Sequence, residues 1–290
     1  VGEYLGAAFR LAGEPDLAVW EELATGMGQL LSLYSEEEFF SSFQTKVREL
    51  FAQVWDRCGF CPKEGEEHRF GTLRSKLIGI MAATGNEDVI ETAKLMFDRY
   101  AQDPVGSPIE ADIRSTIFNV AMKNGDEQTF EKMVGVFRRA TLGEEQRAAL
   151  AALGRAGTDA LRARAWRLTV DDGSPVRLQD IFWPMLALGA SQKGAAFIWN
   201  RFKEEYTTLF AKYGGSNMVW PHVVGAAVAG PYTDEHADEV EAFFAQPGVQ
   251  LTSAEKKYRQ SLEGLRAKAL QVARDREALI DMFANKTTAA

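Results

Sequence analysis

Apolar residues recur along much of this chain at intervals of three and four, the period of a helix with one buried face. Leu73, Leu77, Ile80 and Met81 form one such stripe, and Ile113, Ile117, Val120 and Ala121 form another. Each stripe runs into a glycine (Gly85, Gly125), then a short polar residue (Asn86, Asp126), then a second stripe: Ile90, Ala93 and Phe97, or Phe130, Met133 and Phe137. Glycine ends a helix because it takes the left-handed conformation without a Cβ penalty. Asn or Asp next to it has a side chain able to accept the first orphan N–H groups of a following helix. The pattern predicts helix, tight turn, helix, twice, at a spacing of 40 residues. At that offset Arg74 falls on Arg114, Ser75 on Ser115, Glu87 on Glu127, Glu91 on Glu131 and Arg99 on Arg139.

Weaker echoes fill the remainder. A third copy turns at Gly157-Thr158-Asp159, and residues 191–213 read as one longer amphipathic helix. Thr252 and Glu255 form a capping-box pattern ahead of a final helix carrying Tyr258, Leu262, Leu265, Ala269, Val272, Leu279 and Phe283 on one side. Pro104, Pro108, Pro175, Pro221, Pro231 and Pro247 are expected between helices, and no segment alternates with period two. A helix pair cannot bury its apolar face alone, and a repeat near 40 residues belongs to stacked helical arrays. The expected fold class is therefore all-α: a HEAT/armadillo-like array of antiparallel helix pairs forming a curved superhelical bowl, one domain across residues 1–290.

Composition narrows the chemistry. The 290 residues are 46% hydrophobic and 26% charged, with a net charge of −8. No basic block interleaves with aromatics, so no nucleic-acid partner is expected. No apolar run approaches the roughly 20 residues of a membrane span, so no membrane contact is expected from this segment. The opening VGEYLGAAF lacks the basic region and cleavage site of a signal peptide, and the expectation is a piece of a longer protein. Sparse cysteines favour a reducing, cytoplasmic setting, without excluding a membrane-anchored or secretory parent.

The motif search returns little. His68, His222 and His236 lie in no H-E-x-x-H and at no i, i+4 spacing, so neither a catalytic nor a metal-binding residue is assigned. Cys58-Gly-Phe-Cys61 has C-x-x-C spacing but no second pair, and reads as two cysteines at a helix end and in the loop after it. There is no phosphate-binding glycine loop and no G-x-S-x-G. Gly214-Gly215 reads as the end of a helix, and the glycosylation spacing at Asn285-Lys286-Thr287 is discounted. Phe182, Trp183, Phe197, Trp199 and Trp220 are expected in the core.

Five segments together carry a resemblance: PKEGEEH (62–68), GNEDVIETAKLMF (85–97), VRLQDIFW (176–183), AFIWNRFKEEYTTLFAKYGGS (196–216) and DEVEAFFAQP (238–247). In this order they resemble the C-terminal helical domain of the zinc aminopeptidases, the family of aminopeptidase N, the puromycin-sensitive enzyme and the endoplasmic-reticulum aminopeptidases. The resemblance runs from about Glu14 to Phe283, with cysteines before the Pro-Lys-Glu-Gly-Glu segment as its main departure. It implies a non-catalytic domain that closes over the catalytic domain of a peptide hydrolase, shapes its cavity and restricts substrate size. Zinc then belongs to the full-length enzyme, with no cofactor in this segment. The implied partners are the protein's own N-terminal catalytic domain and peptide substrates. A peptide held by its N-terminus must present its carboxylate to the helical domain, and Arg177, with Gln179 and Asp180, is the candidate site. The competing reading has Arg177 pair with Asp180 and only organise the turn. The alternative function is a stand-alone HEAT-like scaffold for a protein partner.

Overall fold

The computed structural model describes residues 1–284. In chain order its helices are α1 (Gly2–Ala8), α2 (Leu17–Leu33), α3 (Phe40–Cys58), α4 (Arg69–Ala83), α5 (Glu87–Gln102), α6 (Ala111–Lys123) and α7 (Glu127–Arg139). They continue with α8 (Gly143–Leu153), α9 (Asp159–Val170), α10 (Phe182–Leu188), α11 (Gln192–Tyr213), α12 (Trp220–Ala227), α13 (Asp234–Phe244) and α14 (Glu255–Ala284). Single 3₁₀ turns lie at Phe9–Leu11, Leu178–Asp180 and Thr252–Ala254. Among the described residues there is no strand, and no helix is long and apolar enough to cross a membrane. The fold is all-α.

The helix starts follow the polar residues. Asn86 accepts the Val89 N–H at 3.1 Å, Asp126 the Thr129 N–H at 2.9 Å and Thr158 the Leu161 N–H at 3.3 Å. The three copies thus share one capping device. The Asp126 carboxyl is held below its ordinary range by the Thr129 N–H first and by the Thr129 hydroxyl next. Gly85, at φ +73°, supplies the left-handed step between α4 and α5, and Gly125 lies in the matching turn after α6.

Two compact units emerge: Val1–Ala121 with the described residues from Arg274 on, and Met122–Ala273. In the first, α2 packs on α3 and α4, α3 on α4, and α4 on α5. Trp20 meets Phe51 edge-on with ring centres 5.4 Å apart, and Phe283 stacks on Phe39 at 5.5 Å. In the second, α8 packs on α7 and α10, and α11 packs on α9 and α12. Its centre is aromatic: Trp199, Phe202 and Trp220 are buried, with Phe202 stacked on Trp220 at 5.8 Å and Phe243 edge-on to Trp199 at 5.3 Å.

The repeated arginine has a use that spacing alone did not reveal. Arg74, only 3% exposed, donates from Nε to the Gly59 carbonyl (3.2 Å) and from Nη2 to both Glu66 oxygens (2.8 and 2.7 Å). It ties the Gly59–Glu66 loop to α4. Arg114 reaches back in the same way, from Nη2 to the Ile109 carbonyl at 3.0 Å. In both copies the arginine of the first helix holds the connection that precedes it.

Three expectations need correction. Thr252 does not cap α14; it stands at φ +46° in the 3₁₀ turn, and its hydroxyl donates to the Gly214 carbonyl at 3.0 Å. The neighbouring carbonyl of Leu251 is taken by the Trp220 indole N–H at 2.9 Å, so tertiary bonds override the local box. Pro221 lies inside the first turn of α12, where a missing N–H costs nothing. Gly214 ends α11 as expected, at φ −60°; a Cβ there would fall 2.5 Å from the Phe210 carbonyl, so close approach demands the glycine. Phe182, Trp183 and Phe197 are only half-buried, whereas Trp199 and Trp220 are core as expected.

These contacts set three expectations for stability. Asn86→Ala and Thr158→Ala should each lower the free energy of unfolding by about 1 kcal/mol in urea titrations, the worth of a lost cap. Arg74→Ala should cost about 3–4 kcal/mol, because it strips a buried network, leaves the Gly59 carbonyl without its donor and leaves Glu66 with only the Lys63 N–H. Arg74 holds the Glu66 carboxyl below its ordinary 4.5, first through the side-chain hydrogen bond. That contribution is present above the ordinary range and lost as pH falls through the lowered one, so Glu66→Gln should flatten the acid limb.

Candidate functional site

The segment before α10 is built from the backbone outward. The Ser174 hydroxyl donates to the Leu168 carbonyl at 2.6 Å and accepts the Val176 N–H at 3.0 Å, which fixes the exit from α9. Arg177 is extended (φ −64°, ψ 145°), and its carbonyl accepts the Asp180 N–H at 2.8 Å to close the 3₁₀ turn. Arg177 Nε then donates to Asp180 Oδ2 at 2.6 Å. The Asp180 side chain is 8% exposed and that of Arg177 is 59% exposed. Gln179 is exposed on the same turn. The three sequence-flagged residues are thus together, with Arg177 and Asp180 paired: one edge of the guanidinium is spent on a buried carboxylate and the rest faces outward.

An aromatic shelf continues from this turn. Phe182 and Trp183 lie with ring centres 5.4 Å apart, and His222 of α12 comes within 4.5 Å of Phe182. Burial, then the Lys257 charge, lowers the His222 pKa below 6.5, so this imidazole is neutral at pH 7. Leu178 and Leu186, which flank Phe182 and Trp183 in sequence, are exposed. A planar cation with part of its fork exposed can bind a carboxylate.

Elsewhere among the described residues lie two further clefts. One of about 250 Å³ in the first unit is lined by Phe60, Pro62, Glu67, His68, Glu110 and Asp112. The other, a wider groove of about 510 Å³ in the second unit, is lined by Arg162 of α9 and Lys193, Phe197, Asn200 and Arg201 of α11. In the groove Arg162 is held by Asp159 at 2.6 Å and Arg201 by Glu204 at 3.0 Å. Sequence reasoning passed over these charges, because nothing in one sequence says that α9 and α11 are neighbours.

The cysteines fall where the sequence placed them. Cys58 ends α3, buried, and Cys61 is exposed in the following loop; both are free thiols. Burial pushes the Cys58 thiol up to about 11, against the opposing charge of Arg74, so it is protonated near neutrality and a poor ligand or nucleophile. Among the described residues no group of three or more His, Cys, Asp or Glu side chains converges as a metal centre requires. The sequon at Asn285 lies outside the described residues.

Comparison with known proteins gives these features a context. A family model, the ERAP1-like C-terminal domain, matches residues 1–267. The puromycin-sensitive aminopeptidase of Caenorhabditis elegans is 27% identical over 75% of this chain and 23% of its own length. Aminopeptidase 2 of Candida albicans is 24% identical over 95% of the chain and 30% of its own length. Human glutamyl aminopeptidase is 20% identical over 95% of the chain and 28% of its own length. The chain therefore spans less than a third of these relatives, each an aminopeptidase by name, and it belongs to the ERAP1-like C-terminal domain family.

Proposed function

We propose that residues 1–290 form the non-catalytic C-terminal domain of a zinc aminopeptidase, an enzyme that removes N-terminal residues from peptides. The observation that carries this reading is the family match over residues 1–267, joined to relatives that are aminopeptidases more than three times as long. On this reading the helix pairs stack as a HEAT-like array and curve into a bowl. The bowl closes over a separate catalytic domain, encloses a cavity and admits extended peptides in preference to folded proteins. The equal caps at Asn86, Asp126 and Thr158 support a repeated unit of this kind. On this reading zinc is held by residues outside this chain.

Within this reading Arg177 is the group that meets the substrate carboxylate, with Asp180 orienting it and Gln179 beside it. The buried Asp180 fixes Nε and so aims the exposed part of the fork, the kind of preorganisation that bidentate recognition needs.

The test compares the longer protein that carries this chain with the isolated 290-residue chain. The long form should release N-terminal residues from peptides and stop when zinc is chelated, while the isolated chain should be inert. Hydrolysis by the isolated chain, or an inactive long form that captures a folded partner through this segment, would reject the reading in favour of a scaffold. For the carboxylate, Arg177→Ala in the long form should reduce kcat/KM for a free-acid peptide by the equivalent of roughly 1.5–3 kcal/mol and leave the amidated peptide nearly unchanged. Equal losses for both would make Arg177 a turn organiser only.

A further inference from the structure

His236 is a buried titratable group that the proposed function does not use. It follows the cap of α13, where the Thr233 hydroxyl accepts the His236 N–H at 3.1 Å, and the residue is 7% exposed. Its Nε2 has no hydrogen-bond partner, an uncommon state for a buried polar atom and one that asks for a reason. The ring stands edge-on to Trp199 of α11, with centres 5.5 Å apart at 90°.

The charges around it form a competition. His236 Nδ1 lies 3.8 Å from Glu239 Oε2, one turn along the same helix. The other oxygen of Glu239 is taken by the Lys203 ammonium of α11, which also sits 5.4 Å over the Trp199 ring. From α14, Arg266 engages Asp234, Asp238 and Glu241, the opposite stripe of α13, so those carboxylates are held away from His236. The Gly230 backbone approaches from the preceding loop. One carboxylate thus stands between a nitrogen on its own helix and a cation on the next.

We propose that His236 is a proton-operated latch on the contact between α11 and α13. Neutral His236 leaves Glu239 to Lys203, and the two helices stay joined. Protonated His236 draws Glu239 onto its own helix and weakens the hold of Lys203. Burial first, with Lys203 adding to it and Glu239 opposing, keeps the imidazole below its ordinary 6.5, so the joined state is the one present at neutral pH. The folded pKa is depressed, so the stabilisation is complete above 6.5 and is lost as pH falls from there towards the folded value.

The test uses hydrogen exchange by mass spectrometry on the full protein, reading the His236 ring C2–H for its midpoint and the α13 amides for protection, corrected for intrinsic rates. The midpoint should lie below 6.5. Protection of α13 should fall by up to about tenfold per pH unit below 6.5, one proton's worth of linkage. His236→Gln should abolish that slope, and Lys203→Met should raise the midpoint by removing the competing cation. A midpoint at or above 6.5, or a midpoint unmoved or lowered in Lys203→Met, would overturn the latch. So would an α13 profile in His236→Gln that matches the parent. Should His236→Gln fail to fold, the Lys203→Met shift decides alone.

Discussion

Every helix leaves backbone N–H groups without partners at its start and carbonyls without partners at its end, and a chain of many short helices meets that problem at every turn. Here the connections leave little room for water to solve it: α4 and α5 are separated only by Thr84, Gly85 and Asn86. The answer recurs. Asn86, Asp126, Thr158, Ser191 and Thr233 each place one side-chain oxygen on an N–H of the next helix. With the ends settled locally, the apolar stripes are free to pack, and the buried rows around Phe51, Phe97, Phe202 and Trp220 follow.

That is also why so much of the fold was legible. A cap and its N–H lie three residues apart, and an apolar stripe repeats within two turns, so both are properties of a short window. The helix boundaries at Gly85, Gly125 and Ser191 were readable for this reason. What failed was long-range. Thr252 has the right neighbours for a capping box, but its hydroxyl is spent on Gly214, 38 residues away in sequence, and a window around residue 252 holds no trace of that carbonyl. The role of Arg74 was hidden in the same way, although its recurrence as Arg114 was the visible signal that it had one. Phe182 and Trp183 looked like core residues because helical spacing reports that a face is apolar, not whether another element covers it.

The candidate site shows the same division. The sequence brought Arg177, Gln179 and Asp180 together, because a three-residue turn can hardly do otherwise. It left open which of the two readings of Arg177 held, and the 2.6 Å bond to a buried Asp180 serves both. A carboxylate that only organises a turn and one that also aims an exposed guanidinium look alike in the free protein. They differ only when an anion arrives, which is why the free-acid and amidated substrates separate them and stability does not.

The buried ionisable groups divide by how completely they are satisfied. Arg74 is surrounded by acceptors, and its hydrogen bond holds the Glu66 carboxyl below its ordinary 4.5. Asp275 is held below 3.8, chiefly by Arg274, and accepts the Tyr34 hydroxyl at 3.2 Å. His236 is the opposite case: neutral, with one nitrogen unpaired. All three lose their stabilising form as acid is added, but not together. The histidine's window opens at 6.5 and the carboxylates' windows open near and below their ordinary values of 4.5 and 3.8. Between roughly pH 6.5 and 4.5 acid therefore reaches the two histidines whose pKa is lowered, His236 on α13 and His222 on α12, while the carboxylate-held contacts of α4 and of the C-terminal part of α14 remain intact. If the latch acts as proposed, α13 loosens locally before the fold as a whole gives way, and it does so through a histidine whose Nε2 has no hydrogen-bond partner.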